Sequence, residues 1–242
     1  MEMRLRNGIL FLVLIFLLPG CSYLMSLDSV KKDMDKPWFQ EKLNPPREIQ
    51  VLILSNEPDK DLEEVIAEAS DEMMKQTGMR LNIIGYASID KTFVPSQRGA
   101  LQILHEAAES PGVRYDLAIT TWGVMGIDAM IPFVGVMFGA IDDVYRRYII
   151  LRVKTKFILL HEIFHAFIFD RVHGGCITNS GWTFPLGTRC YWLTERDWQE
   201  TMKNKWRDFR EPVSIPEELR WDIIKEKKPT EASKKQLGST GF

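Results

Sequence analysis

The sequence predicts an α/β (α+β) chain with a mixed twisted sheet, a long helix and a second, buried helix. Three observations carry this reading. Apolar, largely β-branched runs at 48–54 (EIQVLIL), 81–89 (LNIIGYASI) and 115–121 (YDLAITT) read as strands. Between the first two, Leu62, Val65, Ile66, Ala69 and Met73 recur at helical spacing with acids between them. A later stretch, 156–170, is apolar enough all round to be a buried helix. Strands interleaved with helices in this order build a sheet with helices packed on it.

The elements follow from the N-terminus. Residues 1–8 are short and basic, and 9–18 (ILFLVLIFLL) are ten consecutive apolar residues. Ten helical residues rise about 15 Å, half of the roughly 30 Å hydrocarbon core of a bilayer. The run therefore reads as a secretory signal over 1–20, not a spanning helix. It ends in Leu18-Pro19-Gly20-Cys21, which resembles the lipobox of bacterial lipoproteins. That resemblance implies cleavage before Cys21, lipid on Cys21 and a membrane partner through that lipid. It also implies residence in the bacterial cell envelope, facing periplasm or exterior. Ser22 in place of Asp directs such a protein to the outer membrane where the cell has one. Residues 21–47 are polar and contain Pro37, Pro45 and Pro46, and are expected to form a tether.

The domain is expected over 48–224. Asp59 and Asp61 favour a helix start and Gly78 a helix stop. Residues 98–109 form a short helix with Leu101, Leu104 and Ala108 on one face. Residues 122–139 are glycine-rich and apolar and suggest a hairpin or bulged edge strand. Residues 141–153 are expected as one further strand, with Arg146 and Arg147 beside Asp142 and Asp143 on a solvated face or turn. Thr194 with Asp197 forms an N-cap signal that opens a helix through 209, on which Trp198 and Trp206 share a face covering the core. His105 and the methionines Met73, Met74 and Met79 read as packing residues. Residues 225–242 lack apolar periodicity and are expected to be disordered.

Composition narrows the function. The 242 residues carry 31 Lys plus Arg against 33 Asp plus Glu, a net charge of −2. A nucleic-acid partner would usually bring a basic excess, and none is expected. Three cysteines are too few for a disulfide-built scaffold, although Cys176 and Cys190 can pair in an oxidising compartment. A monomer is expected.

The chemistry lies in His161-Glu162-Ile163-Phe164-His165. Residues four apart on an α-helix sit one turn apart on nearly the same face. Two imidazoles so placed can reach one Zn²⁺ ion. Glu162 is close enough to touch a water on that ion without being a ligand, as general base in metal-assisted hydrolysis. The string lies in an apolar stretch, where such groups are costly to bury without partners. Three of the four histidines fall within thirteen residues.

On this motif and the order of its elements the chain resembles the zincin metallopeptidases and, within them, the metzincins. In the metzincin pattern HExxHxxGxxH a glycine breaks the helix and a third histidine follows. Here the glycine's place holds Ile168 and the third ligand's place holds Arg171, with His173 two residues on, before Gly174-Gly175. The methionine of the family's Met-turn has no counterpart, since Ile177-Thr178 follow Cys176. The resemblance implies a zincin-like fold with Zn²⁺ held by His161, His165 and His173. Asp170, Glu195 and Glu200 are the other candidates for third ligand. Tyr191 is either an oxyanion donor or a packed aromatic.

The function expected is a lipid-anchored zinc metallopeptidase that cleaves peptide or protein substrates with a metal-activated water, Glu162 carrying the proton. The alternatives are an inactive zincin-fold lipoprotein serving as a binding or assembly module, and a hydrolase of non-peptide amides.

Overall fold

The computed structural model describes residues 29–91, 97–110, 112–122, 138–169 and 191–213. At its centre is a five-stranded sheet of β1 (Arg47–Leu54), β2 (Met79–Ala87), β3 (Leu117–Thr121), β4 (Gly139–Ile141) and β5 (Tyr148–Leu151), in the order β2-β1-β3-β5-β4. β2, β1, β3 and β5 run parallel, and β4 lies antiparallel to β5 at the edge. The mixed α/β class expected from the sequence is the class observed.

The helices are α1 (Pro37–Lys42), α2 (Lys60–Thr77), α3 (Gln97–Glu109), α4 (Lys156–His165) and α5 (Glu195–Lys203). Side chains alternate across the strands, and both faces of the sheet are covered. Ile49, Val51, Ile53, Leu117, Ile119, Ile149 and Leu151 enter one layer with Phe39 of α1, Ile66 of α2, Phe164 of α4 and Trp198 of α5. Leu52, Leu54, Ala118, Tyr148 and Ile150 enter the other, with Leu101 and Leu104 of α3. Among the described residues no helix is long and apolar enough to cross a membrane.

The signals at both ends of α2 act as expected. Asp59 Oδ1 accepts the Leu62 N–H at 3.1 Å, and Gly78 leaves the helix at φ 67°. Any side chain at Gly78 would strike the Leu43 carbonyl. Met73 and Met79 are core residues, and the His105 ring stacks on Tyr148 with centroids 4.8 Å apart.

Elsewhere the structure corrects the sequence reading. Part of the expected tether, from residue 29 to 43, is built into the domain. Val30 donates its N–H to the Leu193 carbonyl at 3.0 Å, and Phe39 stacks on Trp198 at 5.0 Å. Residues 141–153 are not one strand but the turn and second arm of the β4–β5 hairpin. The fully buried Asp142 bends it, with Oδ2 accepting the N–H groups of Tyr145 and Arg146 at 2.6 and 3.0 Å. Its Oδ1 accepts those of Arg147 and Tyr148 at 2.7 and 2.9 Å. Arg146 takes a left-handed φ of 49° in this turn. Arg146 and Arg147 are not solvated, being 4% and 5% exposed.

α5 ends at Lys203, because the residues after it turn inward. Lys205 Nζ donates to the carbonyls of Leu43 and Pro45 at 2.6 and 2.8 Å. Trp198 is buried, but Trp206 is 58% exposed and does not cover the core.

Two outcomes are expected. Asp142→Ala strips the acceptor from four main-chain N–H groups, and urea unfolding should show a loss of about 3 kcal/mol. Burial opposes ionisation of Glu109, but hydrogen bonds from Tyr115 Oη (2.6 Å) and Tyr148 Oη (2.9 Å), with the charge of Arg147, hold its carboxyl below the usual range. A depressed carboxyl contributes stability above its unfolded pKa and loses it as pH falls through the folded value. Glu109→Gln should therefore be less stable than the parent at neutral pH, the gap closing as the solution is acidified through that range.

Candidate functional site

α4 owes its start to Thr155, whose hydroxyl accepts the Ile158 N–H at 3.4 Å. Ile158, Leu159, Leu160, Ile163 and Phe164 are all buried, so the helix is apolar nearly all round and packs beside α2 on the β4–β5 side of the sheet. Into this setting it brings His161, 8% exposed, and the half-buried His165. Their Nε2 atoms face each other at 3.1 Å, with ring centroids 4.7 Å apart and planes at 88°.

That spacing fits a shared metal. Two nitrogens at the usual Zn–N length around a tetrahedral ion lie about 3.3 Å apart. The donor set also suits zinc, which imidazole binds well. Among the described residues no third His, Cys, Asp or Glu joins the pair in a group able to hold a metal. His173, Asp170, Cys176, Cys190 and Cys21 lie outside the described residues.

Glu195 and Glu200, the ligand candidates on α5, are not brought to the imidazoles. Glu195 Oε1 accepts from Gln199 Nε2 at 3.4 Å, and Glu200 Oε1 accepts the Phe169 N–H at 2.6 Å. Tyr191 packs edge-on against Phe157 with centroids 6.0 Å apart, and Lys156 Nζ lies over its ring.

Glu162 points to a different face of α4 and is buried beneath the edge strand. Gly139 of β4 lies directly against it. A Cβ on that glycine would stand 2.7 Å from Glu162 Oε1 and 2.9 Å from Ile158 Cγ2. Burial pushes the Glu162 carboxyl up to about 8. A carboxyl near neutrality is suited to take up and return a proton.

The helix stops sooner than the sequence suggests, at His165 rather than near 170. The cause is a set of side chains from distant segments. Arg146 Nη1 donates to the carbonyls of His165 and Ile168, both at 2.9 Å. Arg207 Nη1 donates to the Ala166 carbonyl at 2.6 Å, and Asn204 Nδ2 to that of Phe167 at 2.7 Å. Each carbonyl from 165 to 168 thus has a side-chain donor, and the next N–H is held by Glu200. Sequence reasoning missed Arg146, Arg207 and Asn204. The available signal was the pair Arg146-Arg147 set directly before the apolar run Tyr148–Leu151, where unpartnered charge is costly.

No family model matches the chain, and no curated protein matches it. Among solved structures it is similar to a crystal structure of archaemetzincin from Methanopyrus kandleri. The two are 13% identical, the match covers 68% of this chain and 98% of that one, and the TM-score is 0.44. A likeness of that degree assigns neither a family nor an activity.

Gly139→Ala tests the contact between edge strand and carboxylate. Overpacking of this kind costs about 1–3 kcal/mol, to be read from urea unfolding. The cost should shrink when the same change is made beside Glu162→Ala.

Proposed function

We propose that this protein is a zinc-dependent metallopeptidase, anchored in the bacterial envelope by lipid on Cys21 and acting as a monomer on peptides or proteins. The observation that carries the reading is the facing pair of imidazole nitrogens on a buried helix, with Glu162 next to the first of them. His161 and His165 supply two ligands and His173 the third. Zinc held there supplies a Lewis acid and lowers the pKa of water towards neutrality.

The chain's own residues do the rest. Glu162 takes a proton from the attacking water on a carboxylate oxygen and delivers it to the leaving amine. Its burial keeps bulk water from competing for that proton. A substrate lies extended along β4, which among the described strands pairs with β5 alone. The side of β4 away from β5 would offer main-chain donors and acceptors to the peptide, a mode of recognition that does not depend on substrate side chains. Gly139 lets that strand run close over Glu162, so the bound peptide and the proton carrier share one wall.

The test is zinc analysis of the purified protein beside hydrolysis of a fluorescence-quenched peptide library. Wild type is expected to hold one zinc and cleave members of the library. Glu162→Gln should keep the zinc and lose about 10²–10⁴-fold in rate. A Glu162→Gln protein that cleaves at the parental rate, or a parent that holds no zinc, overturns the reading.

A further inference from the structure

We infer that Arg146 and Arg207 are positioning residues for the His161/His165 pair, ending α4 at His165 and so fixing the direction of that ring. The inference rests on the metal reading above but concerns residues outside the His-Glu-x-x-His string.

The geometry is unusual for a helix end. A C-terminus commonly turns at a glycine in the left-handed region, which leaves the last carbonyls to solvent or to local bonds. Here residues 166–169 are Ala-Phe-Ile-Phe, with no glycine among them. The turn is made from outside. The guanidinium of Arg146 spans two carbonyls, those of His165 and Ile168, at 2.9 Å each. Arg207 ties the Ala166 carbonyl to that of Tyr145, at 2.6 Å each, and so joins the helix end to the β4–β5 hairpin.

Arg146 is itself held. Its N–H is bound by Asp142 at 3.0 Å, and its side chain is almost wholly buried. Burial also pulls the Arg207 guanidinium below its ordinary pKa. Two cations brought out of water only to stop a helix would be an expensive device where a glycine would serve. A residue whose backbone carbonyl is clamped and whose ring must meet a partner at 3.1 Å gives the device a use. The cations also face the negative end of the helix dipole. Groups that orient a metal ligand from behind commonly alter metal affinity when removed.

The experiment measures zinc affinity of the full chain by chelator competition, together with the visible spectrum of the Co²⁺-loaded protein. The proteins are wild type, Arg146→Lys, Arg207→Lys and a surface control, Arg210→Gln. Lysine keeps the charge but is shorter than the side chain that carries Arg146 Nη1 to its two carbonyls, and it lacks the two-nitrogen fork with which Arg207 joins Ala166 to Tyr145. With circular dichroism showing folded protein, each of the first two changes should weaken zinc binding about 10–100-fold and alter the Co²⁺ bands. Arg210, paired with Asp208 at the surface, should leave both unchanged.

If Arg146→Lys lowers the melting temperature while zinc affinity and Co²⁺ bands stay parental, Arg146 is merely structural and the inference falls. If that variant does not fold, Arg207→Lys decides the matter by the same readings. A wild-type protein that binds no zinc fails earlier, overturning the metal reading itself.

Discussion

A helix that is greasy on nearly every side must be buried, and a buried helix must have its end satisfied by something other than water. α4 meets both conditions. Its flanks pack against α2 and the sheet, and its last carbonyls are taken by arginine and asparagine side chains from the hairpin and from the segment after α5. Unpaired, those carbonyls would each cost about 1–3 kcal/mol. The imidazole pair is a passenger on this arrangement, since the clamped backbone and the burial of the flanks leave the two rings little freedom but to face each other.

The sheet serves the same end. Four parallel strands form the rigid body, β3 and β5 buried on both faces, and the short antiparallel β4 is laid along its edge beside the helix. The hairpin that makes β4 depends on Asp142, which binds four N–H groups in succession. The same turn projects Arg146 towards the helix. One buried carboxylate therefore shapes the edge strand, presents the guanidinium and, through it, reaches the carbonyl of His165.

What was legible in the sequence was local. The limits of α2 are written in Asp59 and Gly78, and the start of α5 in Thr194, whose hydroxyl accepts the Asp197 N–H. The four-residue spacing of His161 and His165 places the two residues on one face of the helix. What was not legible depends on partners far along the chain. The end of α4 is decided by Arg146 and Arg207, 19 and 41 residues from the carbonyls they hold. The packing of residues 29–43 depends on Trp198 and Lys205, and nothing within that segment announces them. Trp206 shares helical spacing with Trp198, but α5 ends before reaching it. Periodicity says which residues could share a face, and only the fold says whether the face continues.

The stretch between residues 169 and 191 starts and finishes at points anchored by the body of the protein. On one side stand Arg146, Arg207, Asn204 and Glu200. On the other, Gln76 of α2 binds the Tyr191 carbonyl and the Leu193 N–H at 2.7 and 2.8 Å. The two points are thus held in place by packing elsewhere in the body. The positions of residues 169 and 191 are therefore a property of the body itself, set by side chains of α2, α5 and the hairpin turn.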